Sequence, residues 1–327
     1  MQALTIIAAV NDALMTEMQV DANVVTFGED VGVEGGVFRA TINLQKKFGK
    51  KRCFDTPLAE NAIVGTALGM AIAGLRPVVE IQFSGFAYPA FNQIITHVSR
   101  MRNRTRGTLT APMVIRMPYS GGIRALELHS ESMEALFGHI PGIKVVIPST
   151  PYDTKGLLIS AIRDDDPVIF MEPKRLYRAF KQEVPEEAYT IPIGKARVVQ
   201  EGTQLTLVSY GSQMKEANEA TQLLHQEGIS VELIDLRTIY PYDKATIVES
   251  VQKTGRLLVV HEGPQSFGVG AEIVTAITKD AFEYLEAPPT RLTGADTIFP
   301  LPGAEHHYMI QTTHIMKTAR EILQYQP

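Results

Sequence analysis

With 327 residues, the chain exceeds what a single hydrophobic core usually serves, so two domains are expected. Hydrophobic residues make up 45% and charged residues 20%, an ordinary globular balance that excludes intrinsic disorder. The formal net charge of −5 argues against an electrostatic grip on nucleic acid, and the one basic stretch, Arg100 to Arg106, fits the solvated end of a helix.

In chain order, the opening "MQALTIIAAVNDALMTEM" has no basic region before its apolar part and soon carries Asp12 and Glu17, so it reads as an amphipathic helix and not a signal peptide. No apolar run reaches the roughly 18 residues of a membrane span, and a cytoplasmic protein is expected. Strands are predicted at 23–29, 76–83, 112–117, 143–149 and 166–172, with helices near 60–74, 88–104, 130–138 and 152–163 between them. Short β-branched runs alternating with helical segments are the pattern of a parallel sheet with crossover helices. The lone Cys53 rules out an internal disulfide or a cysteine metal cage and reads as a small buried residue.

The prolines and acids of 181–202 lack a clear period and read as a connector. The rhythm then restarts, with strands at 205–211, 230–238 and 256–263 and helices at 212–227, 243–254 and 308–323. The expected fold is therefore α/β: a doubly wound parallel sheet over 1–180, a linker over 181–202, and a smaller α/β domain over 203–327. Ligands of such sheets bind at the carboxyl ends of strands. That draws attention to the turn into Glu60, the turn after "EIQF", and the loop leading to His129.

Phosphate-loop, zinc-peptidase and nucleophile-elbow signatures are all missing. The glycine loops "GVEGGV" (32–37) and "SGGI" (120–123) lack dinucleotide spacing and read as turns, so any hard chemistry should come from a cofactor. Asp55, Thr56 and Pro57 form a good helix entry, with Thr56 able to cap, and a first-turn acid such as Glu60 is favoured there by the helix dipole. The next 14 residues, "NAIVGTALGMAIAG", carry no charge. This helix should be buried, against another subunit for part of its surface, with Gly65 and Gly69 admitting a second backbone. A carboxyl at such a buried end should hold its proton more tightly and could share it with a bound ligand. Ser130 or Ser132 could cap the helix after His129.

The blocks "FGEDVG", "GGVFRAT", "FDTPLAENAIVGTALGMAIAG", "EIQFSGFAYPAFNQI", "LELHSES", "GIKVVIPSTPYDTKGLLISAIRDDDPVIFMEP" and "IDLRTIYPYD" resemble the β-subunit of the thiamine-diphosphate-dependent 2-oxo acid dehydrogenase E1 component. The similarity runs along essentially the whole chain. It is strongest toward bacterial pyruvate dehydrogenase E1β, with branched-chain and acetoin dehydrogenase relatives near. The resemblance implies a pyrimidine-type thiamine-diphosphate-binding domain followed by a transketolase C-terminal-like domain. With an α-subunit, in an α2β2 heterotetramer containing a second β-subunit, such a chain decarboxylates a 2-oxo acid oxidatively and reductively acylates lipoyl-E2.

By the same resemblance, Glu60 matches the acid that hydrogen-bonds the cofactor's aminopyrimidine, while Gln82, Phe86 and Glu29 match pocket positions beside it. His129 matches an active-site histidine facing substrate or the lipoyl group. Ala161, Ile162, Asp164 and Asp166 match a segment whose backbone carbonyls hold potassium, although Asp166 replaces a frequent Asn. Thr66 replaces a frequent apolar residue. The family's G-D-G magnesium motif is missing, which implies that the α-subunit holds magnesium and half of the cofactor site. The C-terminal domain is implied to dock the E2 acyltransferase through its peripheral binding segment. A noncatalytic assembly scaffold is the expectation opposed to all of this, and Glu60 discriminates the two.

Overall fold

The computed structural model describes residues 1–326. The chain divides into two units, one of residues 1–120 and 128–193, the other of residues 121–127 and those from Gly194 on.

The first unit runs β1 (Gln2–Leu4), α1 (Ile6–Val20), β2 (Val24–Gly28), α2 (Leu44–Phe48), β3 (Cys53–Asp55), α3 (Glu60–Ile72), β4 (Arg76–Glu80), α4 (Phe91–Gln93), α5 (Met101–Arg104), β5 (Val114–Tyr119), α6 (Glu134–Gly138), β6 (Lys144–Val146), α7 (Pro151–Arg163), β7 (Val168–Pro173) and β8 (Gln182–Val184). Six strands of this unit lie parallel in the order β6-β7-β5-β4-β2-β3, while β1 and β8 form a separate antiparallel ribbon. From β2 the chain goes to β3 on one side and then to β4 on the other. The carboxyl end of β2 is thus a topological switch point, where such sheets bind ligands.

Helices α1 and α7 are each started by a threonine: Thr5 Oγ1 accepts from the Ala8 amide and Thr150 Oγ1 from that of Asp153, with Pro151 in the first turn. They bury Ile6, Val10, Leu14, Leu157, Leu158 and Ile162 in one core with Val24, Val78, Val114 and Phe170 of the sheet. Each such side chain stabilises the fold by about 1.5–3 kcal/mol. Cys53 is fully buried, and burial pushes its thiol up to about 12, so it packs and does not react.

Three local expectations are corrected. The predicted helix over 88–104 is three pieces: Pro89 delays its start, the β-branched run at 94–96 enters a π turn over Ile94–Val98, and the Ser99 amide reaches back to the Ile94 carbonyl. Thr56 does not cap α3, whose N-cap is Ala59; its amide instead donates to the Gly28 carbonyl (3.0 Å), tying the helix entry to β2. Neither Ser130 nor Ser132 caps α6, whose N-cap is Met133.

Within 181–202, residues 182–184 form β8 and Ile191 is buried in the first unit's core. Arg197–Gln200 is β9 of the second unit, which continues β10 (Leu205–Ser209), α8 (Met214–Gln226), β11 (Val231–Asp235), β12 (Thr238–Tyr240), α9 (Lys244–Thr254), β13 (Leu257–Pro264), α10 (Val269–Ala281), β14 (Thr290–Gly294), α11 (Glu305–Tyr308) and α12 (Thr312–Leu323). Its sheet order is β14-β13-β10-β11-β9, parallel except for β9 at one edge. Among the described residues no helix is long and apolar enough to cross a membrane.

Candidate active site

The parallel register pairs Gly28 with both Asp55 of β3 and Glu80 of β4, so three strands end at one level. Beyond these ends lie Glu29 after β2, Glu60 opening α3 after β3, and Gln82 with Phe86 after β4; Glu29 feels the charge of Glu60, and Gln82 reaches Asp30.

Glu29 is 4% exposed, and neither of its carboxylate oxygens has a hydrogen-bond partner. Burial, and then the charges of Glu60, Asp30 and Glu80, push its carboxyl up to about 7. Glu60 is half-buried in the first turn of α3, so the deeply buried carboxyl of this edge is Glu29, where sequence reasoning had weighted Glu60. Gln82 Nε2 donates to Asp30 Oδ2 (3.3 Å). Phe86 lies in a 3-10 turn, Ser84–Ala87, with its ring edge-on to Phe83 (5.5 Å) and to His129 (4.9 Å); Phe83 and His129 are 4.3 Å apart. His129 is held there by its backbone neighbours. Ser84 Oγ donates to the Glu131 carbonyl (2.6 Å), and Leu128, at φ +65°, presses its carbonyl so closely on Gly85 that a Cβ there would stand 2.1 Å from the oxygen.

Sequence reasoning missed what lies beneath. Arg116 of β5 donates to both oxygens of Glu172 (2.6 and 3.1 Å) and to Glu80 (3.0 Å), and the Tyr177 hydroxyl donates to Glu172; Arg116, Glu80 and Glu172 are each at most 3% exposed. Burial works against the Arg116 charge, but Glu172 and Glu80 outweigh it and hold the guanidinium above its usual range. The clue was available: "PVVEIQF", "VIRMPY" and "VIFMEP" each place one charge in a strand of the expected parallel sheet, such sheets are covered on both faces, and buried charges must meet partners.

The four residues matched to potassium lie apart from this edge, around the end of α7. Carbonyl oxygens of Ile162 and Asp164 converge on Nη1 of Arg76 (3.1 and 3.0 Å), and the Ala161 carbonyl accepts from the Asp164 amide. Asp166 accepts from Arg102 (2.6 Å) and Asp164 from Lys144 (2.6 Å). In the second unit, His261 is buried and neutral. Its Nε2 accepts from the Gly270 amide (3.1 Å) at the start of α10, and burial, then Arg291, lowers it to about 4. That is a structural histidine.

Residues 2–179 match the family "Transketolase, pyrimidine binding domain" and residues 194–315 "Transketolase, C-terminal domain". Three relatives share the printed name "Pyruvate dehydrogenase E1 component subunit beta". The one from Acholeplasma laidlawii is 55% identical over all of both chains. The one from Bacillus subtilis is 52% identical and that from Staphylococcus aureus 50%, each covering 99% of this chain and 100% of its own length. A solved structure titled "Split gene transketolase, inactive beta4 tetramer" superposes with a TM-score of 0.80 at 21% identity, covering 99% of this chain and 100% of that one, which shows the shared fold. By full-length identity and by both domain matches, the chain belongs to the family of pyruvate dehydrogenase E1 component β-subunits.

Proposed function

We propose that this chain is the β half of a 2-oxo acid dehydrogenase E1 acting on pyruvate, with thiamine diphosphate seated by its aminopyrimidine against Glu29, Glu60, Gln82, Phe86 and His129. The observation that carries the reading is Glu29, a buried acid with two unpartnered oxygens beside a second acid at a switch point. Such a site suits a flat, nitrogen-bearing heteroaromatic ring that brings N–H donors. When bound, thiamine diphosphate supplies the electron sink that lets the bond to a 2-oxo acid's carboxylate break.

The chain's own part follows from its side chains. Glu60 would hold a proton at the ring nitrogen, with Glu29 keeping a second exchangeable proton close by near neutral pH. Phe86 would meet the ring with its π surface, Gln82 would position it, and Phe83 would keep water from that side. His129, packed on both phenylalanines, would serve substrate or acyl transfer to the lipoyl group of E2.

The grouped residues Glu29, Asp30, Glu60 and Glu80 are all acids, a poor cradle for a diphosphate. The α-subunit would therefore supply that half with magnesium, in an α2β2 assembly working in the cytoplasm, with the C-terminal unit docking E2. Potassium at the α7 turn belongs to the same proposal. Two of the four carbonyls, those of Ile162 and Asp164, converge, but on Arg76, so an ion would share them with a guanidinium against its charge. A higher melting temperature in potassium chloride than in choline chloride at equal ionic strength is expected, and equal temperatures remove the ion from the reading.

The deciding experiment is Glu60→Gln in the heterotetramer reconstituted with its α-subunit. Pyruvate turnover should fall at least about 100-fold with assembly intact, whereas unchanged turnover would leave only a scaffold. Parallel assays with branched 2-oxo acids and acetoin test the substrate.

A further inference from the structure

The edge that carries Glu29 is braced from below. In the ladder Gly28 lies beside Glu80, and Glu80 beside Arg116. Glu80 touches the segment after β2 at two points. Its backbone oxygen lies so near Gly28 that a Cβ there would stand 2.6 Å away, and its carboxylate lies under Gly36, where a Cβ would stand 3.0 Å from Oε1. Between these points the chain passes through Glu29, through Asp30 at φ +57°, and around a turn closed by the Gly36 amide on the Asp30 carbonyl (2.8 Å). Gly36, at φ +78°, is a position where a side chain would be strained twice over, by conformation and by contact. The brace itself cannot drift, because Arg116 holds Glu80 from one side and is itself forked onto Glu172.

We infer that Glu80, fixed by Arg116, is a positioning residue for the cofactor edge, its carboxylate supporting the 28–36 turn that presents Glu29. Glu80 never reaches the reacting atoms; it acts through Glu29. This rests on the cofactor site proposed above. The groups that face Glu29 are Glu60 from α3, Asp30 from its own turn and Glu80 from β4, so Glu80 is the acid among them that lies behind the site. Removing its charge should ease ionisation of Glu29 as well as loosen the turn.

The test compares Glu80→Gln with Tyr177→Phe, which weakens the same buried network at its far end. Both variants are expected to lower the melting temperature. Only Glu80→Gln should raise amide hydrogen exchange across residues 30–41 of the full chain by about tenfold, and only it should move the neutral-range transition in thiamine diphosphate affinity of the heterotetramer to lower pH. Equal exchange in the two variants, or superimposable pH profiles, would reduce Glu80 to a structural role and overturn the inference. Should Glu80→Gln fail to fold, Glu80→Asp, which keeps the charge but draws the carboxylate back from Gly36, must raise exchange over 30–41 more than Tyr177→Phe does, and equal exchange would overturn the inference. The exchange measurement needs no cofactor, so its outcome is separate from that of Glu60→Gln.

Discussion

Glu29 and His261 are buried in different units and titrate in opposite directions from their ordinary ranges. The Glu29 carboxyl, raised by burial and three acids to about 7, binds in the folded chain a proton that the unfolded chain releases near pH 4.5. Its contribution to stability is complete below about pH 4.5 and is lost as pH rises through 7. Glu29→Gln should therefore remove, on the order of 2 kcal/mol, the decline in stability between pH 5 and 8 measured by urea unfolding. His261 has the opposite sign. Lowered to about 4, its contribution is present above about pH 6.5 and is lost as pH falls through 4, so His261→Gln should flatten the acid-side loss over that window. At this scale the sequence was legible for placement: Glu60 opens a helix beyond β3, and Phe86, beyond β4, packs on His129. It was not legible where meaning depended on register. Which acid is orphaned, Glu29 or Glu60, is decided by how far each lies beyond its strand end and by what lies beneath it.

Helix α3 illustrates both sides of that limit at the level of elements. Its presence and the lack of charge after Glu60 could be read from "ENAIVGTALGMAI", whereas its cap could not, since Thr56 offered itself and Ala59 holds the place. Its burial could be read only in part. Ile63, Val64, Ala67, Leu68 and Ala71 face the core, whereas Ala62, Thr66, Gly69, Ile72 and Ala73 are exposed in the single chain. An added Cβ at Gly65 would meet Gln93 at 3.4 Å, but Gly69 has nothing within 4 Å. The two glycines thus differ: Gly65 packs against a side chain of this chain, whereas Gly69 faces open space in the single chain. Gly69→Ala should stabilise the isolated chain by about 0.5–1 kcal/mol through helix propensity, and Gly69→Arg should fold equally well yet prevent subunit assembly, as read by light scattering. An intact heterotetramer in Gly69→Arg would refute α3 as the contact element. Short strands were harder to foresee than this helix. β3 is three residues long and β14 is only half-buried, so neither displays an apolar run, and the 88–104 helix breaks at a π turn that period alone does not reveal.

For the whole molecule, a divided cofactor site is proposed from a missing motif, the absent G-D-G, and from electrostatics as well. Four acids gather at the carboxyl end of β2 and its neighbours, and the buried cation beneath them, Arg116, is already committed to Glu80 and Glu172. A ring with N–H donors is welcome there. On the proposed reading a diphosphate would be repelled there without magnesium and contacts brought by a partner. Affinity should then be strongly non-additive between subunits: this chain alone should bind thiamine diphosphate at about millimolar strength or weaker, near −4 kcal/mol, while the heterotetramer with magnesium should reach about micromolar, near −8 kcal/mol. Titration calorimetry of the chain with and without its α-subunit reads both numbers directly. Micromolar binding by the chain alone would mean that the phosphates find their contacts in this chain, and the acid-lined edge would then have to serve some other ligand.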